Sequence, residues 1–417
     1  MMPKLFLWFQ QYGLLIVLLN CWGLLFPDLS PKTALTDLDL EVTSASRSGS
    51  NTFKQLSWLL PLFLYIVCML RDGVSLRIPQ YRLVLLFGFL GILTTCFLSI
   101  LWSDFPALTF KRVVFQAVFI SSIIFGVFYS VKHDTLVSCI NTLFYIVLLV
   151  CTITIINGSG IQGKALFAWA NSKNNFGAYI LSLIALFCLV RYYYDDRLAG
   201  YWFKVGILFL LLIASASKTS IAIAILLLVS SFIPYLVSKI LFSFVMVSLP
   251  FVFLFVPLIS SWLGNYWDVS YLMEPETLTG RGIIWDSLYY GVSDYGNFLS
   301  GHGYGAYFGT GVIPYALDDT WSYIRFLNSA HNGYLELLLQ LGSILSLFVM
   351  FILYKLVCYT ENPICFLVAS IILIHNITES SVIRDQHVIW SLLVLLICIG
   401  SFMREKEMVE TVMESRS

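Results

Sequence analysis

Apolar residues gather in twelve blocks along the chain, at 5–26, 56–70, 83–101, 113–131, 136–156, 176–190, 201–217, 219–237, 240–261, 332–354, 363–377 and 388–403. An α-helix needs roughly 20 apolar residues to cross a hydrocarbon core, so the pattern predicts an all-α integral membrane protein with about 12 transmembrane helices. The stretch 201–237 has to be two helices, because about 37 residues at 1.5 Å each would overrun a ~30 Å core almost twofold. Its break falls at Ser215-Ala216-Ser217-Lys218-Thr219-Ser220, the polar cluster within it. The first block is long for a signal-peptide core and lacks a small-residue cleavage site, so it reads as a retained first helix.

The polar segments between the blocks are unequal. With both termini placed in the cytoplasm, the inside loops are short. Outside lie a Ser/Thr-rich loop at about 27–55, a Gly/Lys/Asn loop at 157–175 and a large loop at 262–330. Loops of that last size are usually functional. The chain thus divides into N-terminal transmembrane helices (1–100), a transmembrane core (101–261), the large loop (262–330), and C-terminal helices with a cytoplasmic tail (331–417). Lys and Arg set orientation. This one puts 13 of the 24 inside, in segments about half as long as the outside ones.

Composition agrees with the pattern. The chain is 59% apolar and 12% charged, with a mean hydropathy of +0.85. A soluble domain carries about 45–50% and about 25%. The lipid bilayer is therefore the solvent for most of it. A formal net charge of zero gives no reason to expect nucleic acid or another polyanion as a partner. The nine cysteines sit within or at the ends of apolar blocks without metal-ligand spacing, and read as small buried hydrophobes.

Candidate chemistry is sparse and lies at block ends. Lys218 stands at the turn between two short helices. A cation there is either functional or a lysine reaching for the surface. Thr279-Gly280-Arg281-Gly282-Ile283-Ile284-Trp285-Asp286 reads as a helix start with Thr279 as N-cap. Arg281 would join the free N–H groups and the helix dipole in a seat for a phosphate or diphosphate. Ser300-Gly301-His302-Gly303-Tyr304-Gly305 lacks the strand and the lysine of a nucleotide cradle, and reads as a tight turn. Ser329-Ala330-His331-Asn332-Gly333-Tyr334-Leu335-Glu336 opens the tenth helix, with Asn332 and Glu336 on one face. His331 is of a type that titrates near neutral pH and can accept a proton from an attacking hydroxyl. His375-Asn376-Ile377-Thr378-Glu379 reads as a simple helix end.

There is no HExxH, GxSxG or Walker pattern, and Asp37-Leu38-Asp39 is a chance match to a metal-binding DxD. No metal site or cofactor is expected. The inside loops are too small for a nucleotide-sugar domain, so chemistry at the outer face would draw on a substrate that is already activated.

In order and spacing, Trp102-Ser103, Lys173-Asn174, Ser217-Lys218-Thr219, Gly280-Arg281 with Trp285, the 301–305 turn and the 331–336 segment resemble the O-antigen ligase and Wzy-type polysaccharide polymerase family over residues ~100 to ~390. The resemblance implies a GT-C-like bundle in the bacterial inner (cytoplasmic) membrane, with a large periplasmic loop and an active site facing the periplasm. It also implies a metal-independent, inverting glycosyltransferase acting on an undecaprenyl-diphosphate-linked oligosaccharide, with a flippase and a chain-length regulator as partners. Carried over, Lys218 and Arg281 hold the diphosphate and His331 is the general base. Lys173, Asn174, Trp102, Trp285, Asn332 and Glu336 become substrate-binding candidates. Ligases usually have Arg where this chain has Lys218, and lysine offers a point charge in place of a bidentate fork. The segment around His331 is closer to the exopolysaccharide and O-antigen polymerases. Two rivals stand beside a polymerase: a ligase that transfers the finished glycan to lipid A–core or a protein, and a transporter or flippase. No internal repeat of the transporter kind is present.

Overall fold

The computed structural model describes residues 2–30, 52–72, 80–194, 200–231, 234–263, 281–294, 297–314, 317, 327–384 and 387–414. Every apolar block of the sequence has become a helix. In chain order these are α1 (Met2–Cys21), α2 (Thr52–Arg71), α3 (Gln80–Leu98) with a 3-10 turn (Ser99–Trp102), α4 (Pro106–Lys132), α5 (Leu136–Ile156), α6 (Lys173–Tyr193), α7 (Tyr201–Ala214), α8 (Lys218–Ser230), α9 (Tyr235–Leu263), α10 (Arg281–Asp294), α11 (Gly333–Tyr359), α12 (Pro363–His375) and α13 (Val388–Glu414). A small hairpin, β1 (Ile161–Gln162) and β2 (Ala165–Leu166), follows α5, with Ile161 opposite Leu166. Among the described residues eight helices are long and apolar enough to cross a membrane, and four shorter apolar helices accompany them. The Asp37-Leu38-Asp39 segment, Thr279 and much of the large loop lie outside the described residues.

Local chemistry sets the helix ends. Pro363 opens α12 and the side chain of Asn362 caps it, accepting from the Ile364 and Cys365 N–H groups at 2.8 and 3.1 Å. Pro234 carries no N–H, so α9 begins behind it at Tyr235, earlier than the apolar block suggested. The predicted break between α7 and α8 falls at Ser215–Ser217, with Ala216 in the left-handed region (φ 54). At 14 and 13 residues these helices reach only about 20 Å, short of a ~30 Å core.

Packing centres on α6 and α13. Their apolar stretches are 78% and 89% buried, against 28% for α9. α13 lies against α4, α6 and α12, while α7 and α8 both rest on α6. Large apolar side chains such as Leu60, Phe63, Leu236, Phe244 and Val247 are exposed on the outer helices. A water-soluble surface rarely tolerates such a belt. The chain is a multi-pass membrane protein. All nine cysteines are free, eight of them buried.

Side-chain ties mark the two ends of the bundle. At one end Asp72 meets Gln10 and Lys132, Lys204 donates to Asn141, and Arg404 pairs with Glu361. At the other the end of α1, the starts of α6, α8, α10 and α11 and the end of α12 come together, and the polar chemistry sits there.

Candidate functional site

Glu379 sits just past the end of α12 and organises this end of the molecule. Arg281 Nη2, in the first turn of α10, donates to Glu379 Oε1 at 2.7 Å. His331 Nδ1, just before α11, lies 3.4 Å from Glu379 Oε2. Asn174 Nδ2, in the first turn of α6, donates to Oε1 at 3.1 Å. Asn174 Oδ1 in turn accepts from the Ser217 hydroxyl at 3.4 Å. Four segments spread over more than 200 residues thus meet at one carboxylate. Burial alone would raise the Glu379 carboxyl, but the His331 imidazole and the Arg281 guanidinium outweigh it and hold it down at about 2. Near neutral pH the group is an anion.

His331 itself is in the left-handed region (φ 49), which is costly for a side chain with a Cβ and persists only where neighbours impose it. Those neighbours are visible. Asn332 is fully buried and its Oδ1 accepts from the Tyr334 and Leu335 N–H groups, capping α11. Glu336, 7% exposed, takes the Ala330 N–H with Oε2 and Gln340 Nε2 with Oε1. Trp285 Nε1 donates to the Ala330 carbonyl at 3.1 Å. Gly333 N–H donates to the Asn376 carbonyl, and a Cβ there would strike the Asn376 side chain. Trp285, Asn332 and Glu336 therefore hold the backbone on either side of His331.

The remaining candidates are placed differently. Lys218 is the first residue of α8, exposed, one position from Ser217, so it belongs to the same end of the bundle. Lys173 is exposed at the start of α6. Trp102 stands apart: its Nε1 donates to the Ser300 carbonyl and pins the glycine-rich turn. That turn is tight, as read. Gly301, Gly303 and Gly305 all have positive φ, His302 Nδ1 meets Asp104 Oδ2 at 2.7 Å, and Arg112 gathers the carbonyls of Gly305, Phe308 and Gly309.

A cleft of about 570 Å³ opens beside Glu379 and His331. Asn20, Asn171, Asn174, Asn175 and Ser329 line it with neutral polar groups, Trp58 and Tyr179 with rings, and Arg384 and His387 complete it. His387 is pushed down to about 3 by burial and the adjacent Arg384. Its Nδ1 accepts from the Ile389 N–H, which leaves the proton of the neutral ring on Nε2.

Comparison with family models, curated proteins and solved structures finds no match to this chain.

Sequence reasoning passed over Glu379, Arg384 and His387. Glu379 was legible only as a polar residue closing a helix. The signal available was a carboxylate at an apolar helix end, where a charge needs a partner, on the same face as two expected cations. Chemically, the arrangement offers an imidazole beside a fixed anion, a partly buried guanidinium with further N–H donors, an exposed ammonium nearby, and a polar, ring-bearing cleft.

Proposed function

We propose that the protein is a polysaccharide polymerase of the bacterial inner membrane, moving glycan from an undecaprenyl-diphosphate carrier to a sugar hydroxyl. The observation that carries this reading is the Glu379 carboxylate, which lines a polar cleft together with His331 and is held from outside that lining by Arg281. At 3.4 Å the His331 Nδ1 makes no hydrogen bond to the carboxylate; drawn onto it when substrate enters, Nδ1 keeps the ring proton and Nε2 is free to accept one. The acceptor oxygen forms its bond to the anomeric carbon as the bond from that carbon to the diphosphate breaks. Its proton passes to His331, and the bonding pair leaves with the lipid diphosphate.

Arg281 spends one of its five N–H donors on Glu379 and keeps the rest for phosphoryl oxygens. Lys218 adds a second, mobile positive charge. Preorganised cations at a leaving group are an efficient form of stabilisation. A site at the end of the helices suits a substrate whose tail stays in lipid while its sugars stay wet, with the cleft facing the periplasm. Lys218 opens α8 beside Ser217, which is tied through Asn174 to the Glu379 cluster, and this link supports a site at that end over a transporter site near the bilayer midplane.

The test is a polymer ladder from cells lacking the gene and complemented with wild type, His331→Ala or Arg281→Ala. At equal membrane expression the wild type gives long polymer and both variants give single repeat units. Full-length polymer from either variant removes its assigned role. Long glycan left on the carrier lipid in the deletion strain replaces the polymerase with a ligase.

A further inference from the structure

One cation of the cleft has no part in the transfer chemistry above. Arg384 lines the cleft, yet its guanidinium reaches only two backbone carbonyls, Asn328 O at 3.4 Å and Ser380 O at 3.5 Å. These are at the long limit for hydrogen bonds. Among the described residues no carboxylate pairs with it. The Glu379 carboxylate in the same lining is already 2.7 Å from Arg281. Among the described residues Arg384 is therefore a cleft cation with no carboxylate partner of its own.

The rest of the lining says what sort of molecule carries the matching negative charge. Asn171 and Asn175 are exposed, and among the described residues their side-chain amides have no protein partner. Each amide both donates and accepts, as a sugar hydroxyl does. Trp58 and Tyr179 add ring atoms to the wall. Arg281 and Lys218, the cations given to the carrier diphosphate, do not line the cleft. The cations given to the diphosphate thus lie outside the lining, while amides, rings and Arg384 lie within it.

Resting on the glycan-transfer reading, we propose that the cleft is the acceptor subsite and that Arg384 holds an oxyanion of the acceptor, the carboxylate of an acidic sugar. The diphosphate of a second carrier lipid has the same chemistry, and the neutral, ring-bearing lining selects the sugar. A planar guanidinium meets a carboxylate through two parallel N–H donors, so the site discriminates a uronate from the matching neutral hexose.

The full-length protein in nanodiscs is titrated, by saturation-transfer NMR, with three probes: a glucosyl-glucose disaccharide, its glucuronosyl-glucose counterpart and inorganic pyrophosphate. The acidic disaccharide should bind at least about tenfold tighter than the neutral one, equivalent to about 1.4 kcal/mol. Arg384→Gln should erase that preference and leave the neutral disaccharide unchanged, which also shows that the variant is folded. Arg384→Lys should keep part of it. Preference surviving in Arg384→Gln, or equal binding of both sugars by the wild type, overturns the assignment of Arg384 and leaves the glycan-transfer reading standing. Pyrophosphate binding that depends on Arg384 while the sugars bind alike assigns the anion to a carrier lipid and overturns the acidic sugar. Binding of neither disaccharide counts against glycan transfer itself.

Discussion

At the residue scale the site turns on how one carboxylate is shared. Glu379 takes Arg281 and Asn174 on one oxygen and faces His331 with the other. It touches no reacting atom in the proposed chemistry and acts by positioning. Glu379→Gln keeps the shape and removes the charge, so the imidazole loses the group that selects its tautomer. Transfer, followed as polymer per unit of membrane protein, should fall by about 100-fold or more. The pH dependence follows from the sign of the shift. Folded Glu379 titrates at about 2, below its ordinary 4.5. The folded protein therefore binds fewer protons here than the unfolded chain. The stability this gives, about 3 kcal/mol, is present above pH 4.5 and lost as pH falls towards 2. Melting in detergent from pH 6 to pH 3 should show the wild-type advantage over Glu379→Gln shrinking, and a constant difference would contradict an ionised Glu379. Arg281 and His331 were legible in sequence because each is a polar residue opening or preceding a helix, whereas Asn174 entered only through the resemblance of Lys173-Asn174 to the polymerase and ligase family. Glu379 was not, because its partners lie 98, 48 and 205 positions away and local pattern carries no trace of them. Trp285, Asn332 and Glu336 were legible as residues of the site region, but the three-dimensional contacts give them to the backbone of the 330–336 segment.

At the element scale, the apolar blocks predicted where helices form, and the turn residues where they stop. What the blocks hid is a break inside one of them. Gly342 interrupts α11 with φ 71, although 332–354 reads as one uniform apolar run. A lone glycine in such a run looks like a tolerated helix residue, and only its neighbour explains it: a Cβ on Gly342 would lie 2.1 Å from the Leu299 carbonyl oxygen. Gly342→Ala should lower stability by about 2 kcal/mol or more, from the left-handed backbone and the collision together. Gly206, exposed in the interior of α7 with open space for 4 Å around the position a methyl would take, is the contrast. Gly206→Ala should raise stability by about 0.5–1 kcal/mol. Thermal unfolding of both variants in the same detergent checks the pair.

At the scale of the whole molecule, orientation decides which side of the membrane the cleft faces, and the proposed glycan transfer requires the outer one. The hairpin turn at Lys164 lies at the cleft end and Lys132 at the opposite end, and both side chains are exposed. Since eight native cysteines are buried and the ninth is partly so, single introduced cysteines report cleanly. A membrane-impermeant maleimide should label Lys164→Cys in cells whose outer membrane is opened, and Lys132→Cys only once the inner membrane is breached. The reverse pattern would turn the protein over. Finally, α11 is stitched to the chain that precedes it. His302 N–H donates to the Leu339 carbonyl, Gly303 N–H to Gln340, and Ser343 N–H to the Phe298 carbonyl. The returning part of the large loop is thus laced to a membrane helix across its break and does not hang from it as a detachable appendage. Replacing that loop in this protein would cut these threads unless residues 298–343 travel as one cassette.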